Sequence, residues 1–303
     1  MNSRTAWQER RAGMETGSGR SSTLGPRPRT ILHYAIRFGG VLTRITGLWG
    51  TVAAHAQKLV ITNLELHCPG LPKVLDGFTI LHLSDLHLEA MPDFTEAVVA
   101  HLGKLSADMA VITGDFQIDE DKTDPARALD LVRPVIAALQ VRHGIYGVLG
   151  NHDSWKIVEP LEQLGVQMLI NEHATISIGD AALQITGVDD PHAFYTDAVV
   201  QTIRDEVTGF RVMLAHTPEV ADLAAAAGCD LYLTGHTHGG QICLPNGRPL
   251  FAGLDRNPEL ASGHWRIGAM QGYTNRGLGT ASWPLRINCP AEIAVLRLRA
   301  VGG

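Results

Sequence analysis

Residues 79–87 read TILHLSDLH, a short apolar run that passes directly into polar residues including Asp85 and His87. The same arrangement recurs along the chain. Further apolar runs lead into polar segments at 109–115, 145–153, 210–216 and 231–238. Short β-rich runs without polar alternation are typical of strands buried on both faces.

Helical patterns separate the first of these strands. Asp93 and Glu96 have the spacing of a capping box, residues 125–139 predict a helix kinked at Pro134, and Thr217 is expected to begin another. Alternation of strands and helices predicts βαβ units and a parallel sheet. Additional strands are expected at 174–178 and 182–187, as a hairpin, and at 285–288 and 293–298. The chain is therefore predicted to be an α/β protein with two packed sheets of mixed strand direction.

Charge is distributed unevenly along the 303 residues, whose formal net charge is −6. Residues 1–58 contain nine Lys and Arg residues but only two acidic residues, so the body that follows is strongly acidic. The 45% apolar content fits a globular protein, and no charge-free apolar run reaches the roughly 18 residues of a membrane span. The four cysteines have no CxxC spacing and are expected to be reduced thiols.

The basic leader divides into two segments before the main domain, which is expected to span 59–303. Residues 1–30 are rich in Arg, Ser, Gly and Thr, a composition that predicts disorder. Residues 31–58 carry an apolar stripe at helical spacing opposite Arg37 and Arg44. This segment is interpreted either as a helix packed on the domain or as a helix on an anionic membrane surface, with the second favoured by the basic flank.

Seven metal-capable side chains follow the five strands. They are Asp85, His87, Asp115, Asn151, His216, His236 and His238. Ligands bind beyond the carboxyl ends of strands in open α/β sheets. One ion takes about four to six donors, so seven predict two ions, with Asp115 as the bridging carboxylate. Mixed imidazole, carboxylate and amide donors favour Mn, Fe or Zn over Ca or Mg.

The ordered motifs resemble those of the calcineurin-like metallophosphoesterases. The family pattern D-x-H, G-D, G-N-H-[DE], H and G-H-x-H is present as residues 85–87, 114–115, 150–153, 216 and 235–238. The GHTHGGQ segment at 235–241 is similar to that of a bacterial, membrane-associated branch. The resemblance implies a metallophosphoesterase-type α/β/β/α sandwich, two mixed sheets flanked by helices. It also implies hydrolysis of a phosphate mono- or diester, or of a pyrophosphate, on a small, lipid-linked or nucleotide-linked substrate.

The resemblance also assigns roles. Asp85, His87 and His238 would hold one ion, Asn151, His216 and His236 the other, and Asp115 both. A hydroxide bridging the ions would attack phosphorus, with no covalent intermediate. His152 would be the general acid or a donor to the phosphoryl group. Asp153 would orient that imidazole or close the turn. Asn275 and Arg276 would contact substrate phosphate or belong to a surface loop.

Two other functions are consistent with parts of the sequence. A non-catalytic metal-binding scaffold would be expected to lack a ligand or His152, and this chain keeps them all. A nuclease would need the basic leader to offset an acidic body that repels nucleic acid. The expected location is the cytoplasm or the periphery of a membrane. Arg10-Arg11 is not followed by the apolar segment of a twin-arginine export signal.

Overall fold

The computed structural model describes residues 3–16, 46, 50, 54, 56–118, 124–280 and 284–301. These residues form two six-stranded sheets. The first contains β1 (Leu59–Cys68), β2 (Thr79–Leu83), β3 (Met109–Ile112), β4 (Ile145–Gly147), β5 (Val166–Met168) and β12 (Ala291–Ala300). The second contains β6 (Glu172–Ile178), β7 (Ala181–Gly187), β8 (Phe210–Leu214), β9 (Leu231–Thr234), β10 (Gly263–Ile267) and β11 (Met270–Thr274).

Both sheets are mixed, as predicted. The first has the order β1-β12-β2-β3-β4-β5 and is parallel except where β12 meets β2. The second has the order β10-β11-β9-β8-β7-β6, and its central strands β7, β8, β9 and β11 are parallel. The predicted hairpin forms between β6 and β7.

Helices cover the outer face of each sheet. The described helices are α1 (Ser3–Thr16), α2 (Phe94–Leu102), α3 (Ala126–Ala137), α4 (Val158–Gln163), α5 (Asp197–Arg204) and α6 (Ala221–Ala226), of which α2 to α6 pack on the sheets and α1 packs on loops. One buried cluster joins the first sheet to α2, α3 and α4, and another joins the second sheet to α5 and α6. A third lies between the sheets. The layers are therefore helix, sheet, sheet, helix.

Alternation along the buried strands assigns side chains to these layers. In β2, Ile80 contributes to the core between the sheets, while Leu81 and Leu83 contribute to the core beneath the helices. Successive side chains of a strand point to opposite faces, so a strand between two apolar layers is mostly apolar on both faces.

The carboxyl ends of the central strands meet at one edge of the sandwich. Leu83 of β2 is in register with Ile112 of β3, and Ile112 with Gly147 of β4. Across the sandwich, the His216 imidazole beyond β8 donates to the carbonyl of Thr113 beyond β3, at 2.7 Å. Polar segments that are distant in sequence therefore converge on one place.

Several local expectations are wrong. Residues 3–16 form helix α1 instead of a disordered segment, because side chains such as Trp7 and Arg11 find partners on the domain. The Asp93 side chain makes no cap hydrogen bond, since its backbone is already helical. Residues 285–288 are not a strand and form a single bridge through Ile287.

Most of the segment 31–58, with its predicted amphipathic helix, lies outside the described residues. Within the described part of the chain, no helix combines the length and apolarity that crossing a membrane requires.

Candidate metal centre

The loops that carry the predicted ligands have an unusual backbone. Nine described non-glycine residues have a positive φ, and five of them are predicted ligands: Asp85, His87, Asp115, His236 and His238. Such conformations cost about 1–3 kcal/mol each and tend to cluster at functional sites. The sharp turns allow each side chain to point inward immediately after its strand ends.

Four of the predicted ligands form a compact buried cluster. Asp85, His87, Asp115 and His238 each offer a ligand atom, and all four atoms lie within 4.8 Å of one another. The Oδ1 atom of Asp85 is 3.4 Å from Nε2 of His238, and this oxygen accepts no hydrogen bond. These donors fit a cation between them.

The Asp115 carboxylate is shared by two histidines, His87 and His216. Its Oδ2 atom lies 3.2 Å from Nε2 of His87 and 3.2 Å from Nε2 of His216. The side chains of all three residues are at most 1% exposed. One Asp115 oxygen thus contacts His87, which belongs to the four-residue cluster, and His216, which does not.

Backbone carbonyls fix both imidazole rings. His87 donates its Nδ1 hydrogen to the carbonyl of Gln117 at 2.8 Å, and His216 donates to that of Thr113 at 2.7 Å. In the neutral rings, the Nε2 lone pairs must then point at the Asp115 oxygen. Lone pairs facing an anionic oxygen repel it unless a proton or a metal ion lies between them. The donor set therefore fits bound metal, and carbonyl-oriented imidazoles are common around metals.

The same geometry shifts the acid–base equilibria. Burial opposes the imidazolium form, yet the neighbouring Asp115 carboxylate raises the pKa of His87 and, more strongly, that of His216. Burial lowers the pKa of His236 and His238, and nearby histidines add to this effect. Neutral imidazole is the form that binds metal.

The remaining predicted residues, His236, Asn151 and His152, lie next to the residues described above. Nδ1 of His236 is 3.2 Å from Nε2 of His216, and its backbone N–H donates to Asp85 at 3.1 Å. Asn151 lies in the loop after β4. The residue that follows it, His152, donates its backbone N–H to Oδ1 of Asp115 at 2.9 Å. The half-buried His152 ring stands edge-on to His87, with centroids 5.1 Å apart.

Asp153 closes the turn, the structural one of its two predicted roles. Its carboxylate accepts the backbone N–H groups of Gly150, Asp115 and Phe116 at 2.7–2.8 Å. A Cβ atom at Gly150 would overlap the Asp115 carboxylate. The loop can approach Asp115 this closely because Gly150 has no side chain.

The structure corrects the predicted role of Asn275 and gives Arg276 a carboxylate partner. Asn275 is fully buried, and its amide group donates to the carbonyl of His82 and accepts the N–H of Gly277. Both ends of the amide are used inside the fold, so Asn275 does not face a substrate. Arg276 forms a salt bridge of 2.9 Å with the buried Glu292 and remains one-quarter exposed.

Two residues at the site were missed by sequence reasoning. His192 is not among the predicted site residues, but its ring centroid lies 4.0 Å from that of His236, and its Nδ1 is 3.1 Å from Glu219. His192 lies in the polar segment Asp189-Asp190-Pro191-His192 that follows β7, and a polar segment after a strand is the same feature that identified the other ligands. Arg11 of α1 contacts the loop around Asn151, and no sequence signal placed it there.

The fold and the buried Asp/His cluster together define a metallophosphoesterase. A family model for calcineurin-like phosphoesterases matches residues 78–240, and the chain belongs to this family. It is accordingly a metal-dependent phosphohydrolase.

Curated relatives cover most of the chain. The metallophosphoesterase YkoQ of Bacillus subtilis is 33% identical, over 71% of this chain and 81% of its own. YkuE, a metallophosphoesterase of the same organism, is 29% identical, over 76% of this chain and 82% of its own. The phosphodiesterase YaeI of Escherichia coli is 26% identical, over 73% of this chain and 82% of its own.

Proposed function

We propose that the site holds two divalent transition-metal ions and hydrolyses a phosphate mono- or diester directly, without a covalent intermediate. Asp85, His87 and His238 would hold one ion. Asn151, His216 and His236 would hold the second, and Asp115 would bind both. The shared position of the Asp115 oxygen, 3.2 Å from an imidazole nitrogen of His87 and 3.2 Å from one of His216, carries this proposal.

The ions would supply positive charge that neutralises phosphoryl oxygens and lowers the pKa of the attacking water. The protein's own contribution is placement. Carbonyls of Gln117 and Thr113 hold the His87 and His216 rings so that Nε2 of each faces the centre. No serine or cysteine nucleophile is needed.

His152 is proposed to donate a proton to the leaving oxygen. It lies beside the cluster and is half-buried, while its backbone N–H fixes the loop to Asp115. An imidazole at this position can exchange protons with water and reach an ester bound at the centre. One acid–base group contributes about 10²–10⁴-fold to a rate.

An apolar loop next to the centre favours an ester with an apolar group. Leu244, Leu250 and Phe251 are 42%, 62% and 49% exposed. A cleft of about 740 Å³ is lined by residues 247–254, 258, 259, 261 and 262, and Pro249 lies close against Gly240, two residues after His238. We propose that the non-leaving group of the substrate lies along this loop.

The test is a substrate panel on one metal-analysed sample. Chelated protein should be inactive and should regain hydrolysis of p-nitrophenyl phosphate or bis(p-nitrophenyl) phosphate with Mn, Fe or Zn at up to two ions per chain. Octyl p-nitrophenyl phosphate should be preferred over the methyl ester, and Phe251→Ser should reduce that preference. Metal binding without hydrolysis of any of these esters would instead favour the non-catalytic scaffold.

A further inference from the structure

Helix α1 lies against the loop that carries Asn151 and His152. Its contact is made by Arg11, which is only 1% exposed. The guanidinium donates to the carbonyl of Gly150 at 3.2 Å and to that of Asp153 at 2.9 Å. These two carbonyls flank Asn151 and His152, so one side chain holds both ends of the segment.

Other groups fix the guanidinium in this position. It forms a salt bridge with Asp189 and another with Glu15 of the same helix, at 3.1 Å. Its central carbon lies 3.2 Å from the centroid of the Phe194 ring. A guanidinium offers five donors in a rigid plane, so Arg can join two carbonyls and two carboxylates at once.

Glu15 extends the contact along the same loop. Its carboxylate accepts the backbone N–H of Trp155 at 2.8 Å and the hydroxyl hydrogen of Ser154 at 3.0 Å. The loop is therefore held by α1 on its outer side and by the Asp153 carboxylate on its inner side.

The rest of α1 is anchored away from the loop. Arg4 forms salt bridges of 2.8 Å with Glu162 and Glu172, and Trp7 donates to Asp189 at 2.7 Å. Asp189 follows β7 in the second sheet, whereas the held loop follows β4 in the first. The helix thus ties together loops from both sheets, and it lies outside the residues that the family model matches.

We propose that Arg11 is a positioning residue for phosphoester hydrolysis and acts through His152 without contacting the substrate. This inference rests on the proposed function, since turnover is its main readout. Errors of about 1 Å in the placement of a catalytic group can cost about 100-fold in rate. The hydrogen bonds from Arg11 to Gly150 and Asp153 restrict movements of that size.

The test compares two adjacent arginines of the full chain. Arg10 is exposed, so Arg10→Gln removes the same charge from the same helix without touching the loop. Arg11→Gln should lower kcat on bis(p-nitrophenyl) phosphate about 10- to 100-fold, and Arg10→Gln should stay within about twofold of wild type. Arg11→Lys keeps the buried charge with fewer donors and should show a loss of kcat intermediate between wild type and Arg11→Gln. It replaces Arg11→Gln in the comparison if that variant does not fold.

A double-mutant cycle separates positioning from general stabilisation. If Arg11 acts through His152, Arg11→Gln should cost less than about threefold in a His152→Ala background, because coupled residues are not additive. An equal loss in both backgrounds, or Arg11→Gln turnover equal to that of Arg10→Gln, would overturn the proposal.

Hydrogen exchange gives a readout that is independent of turnover. Backbone amides of residues 150–155 should exchange faster in Arg11→Gln than in wild type or Arg10→Gln. Unchanged exchange overturns the positioning role. A wild-type protein inactive on every ester, with faster exchange only in Arg11→Gln, would instead locate the failure in the proposed function.

Discussion

Replacing Asp115 by Asn tests the metal centre at the carboxylate that contacts both His87 and His216. The amide keeps the size and can keep the oxygen that accepts the His152 backbone N–H, but it removes the negative charge. The lost charge is the one that lies 3.2 Å from both His87 and His216. A change outside the direct ligands typically costs about 10–100-fold in metal affinity or activity. We therefore expect at least about 100-fold weaker binding, or about 2.7 kcal/mol.

Metal content and turnover should fall together in this variant. The measurements are atomic emission spectrometry after gel filtration and bis(p-nitrophenyl) phosphate hydrolysis during a Mn titration. Asp130→Asn, the same change at an exposed position of α3, is the matched control and should behave as wild type. Full metal occupancy in Asp115→Asn after gel filtration would refute the shared-ligand assignment.

Three further predictions concern the same loops. His152→Ala should retain its metal but hydrolyse bis(p-nitrophenyl) phosphate about 10²–10⁴-fold more slowly, and metal loss would instead make His152 a ligand. Gly150→Ala should lose metal and turnover, because the added Cβ overlaps Asp115; wild-type kinetics would contradict the crowding argument. Above a pH of about 6.5, chelated protein should lose thermal stability as pH rises, whereas below it the lowered pKa values of His236 and His238 act in the opposite direction. Asp115 raises the pKa values of His87 and His216, against the effect of burial. The protonated histidines therefore stabilise the folded protein fully below the unfolded-state pKa of about 6.5. This stabilisation is lost as the pH rises through their folded-state pKa values. Melting curves with and without Mn test this, since bound metal should remove the dependence.

The predicted sheets and ligand-bearing loops were identified through local signals. An apolar run such as 79–83 has to be buried on both faces, and a strand placed between two apolar layers meets that requirement. The parallel arrangement then brings strand ends to one edge, so Asp85 and Asp115 could be expected near each other without coordinates.

Residues whose roles depend on distant partners were not identified in this way. Asn275 was expected to contact substrate or to belong to a surface loop, yet it is buried and its amide is used by the backbone of His82 and Gly277. His192 was not among the predicted site residues, although its ring lies against that of His236. The sequence alone could not distinguish a residue at the site from a residue inside the fold, because a side chain that binds a ligand and one that binds the backbone have the same chemistry.

The sequence by itself determined the layered α/β architecture and which side chains follow which strand, because burial and strand direction act through local pattern. Only the tertiary structure decided that one Asp115 oxygen contacts two imidazoles and that Arg11, 139 residues before Gly150, holds the loop carrying His152. Contacts of this kind depend on the relative placement of two sheets and a helix, which no local pattern encodes.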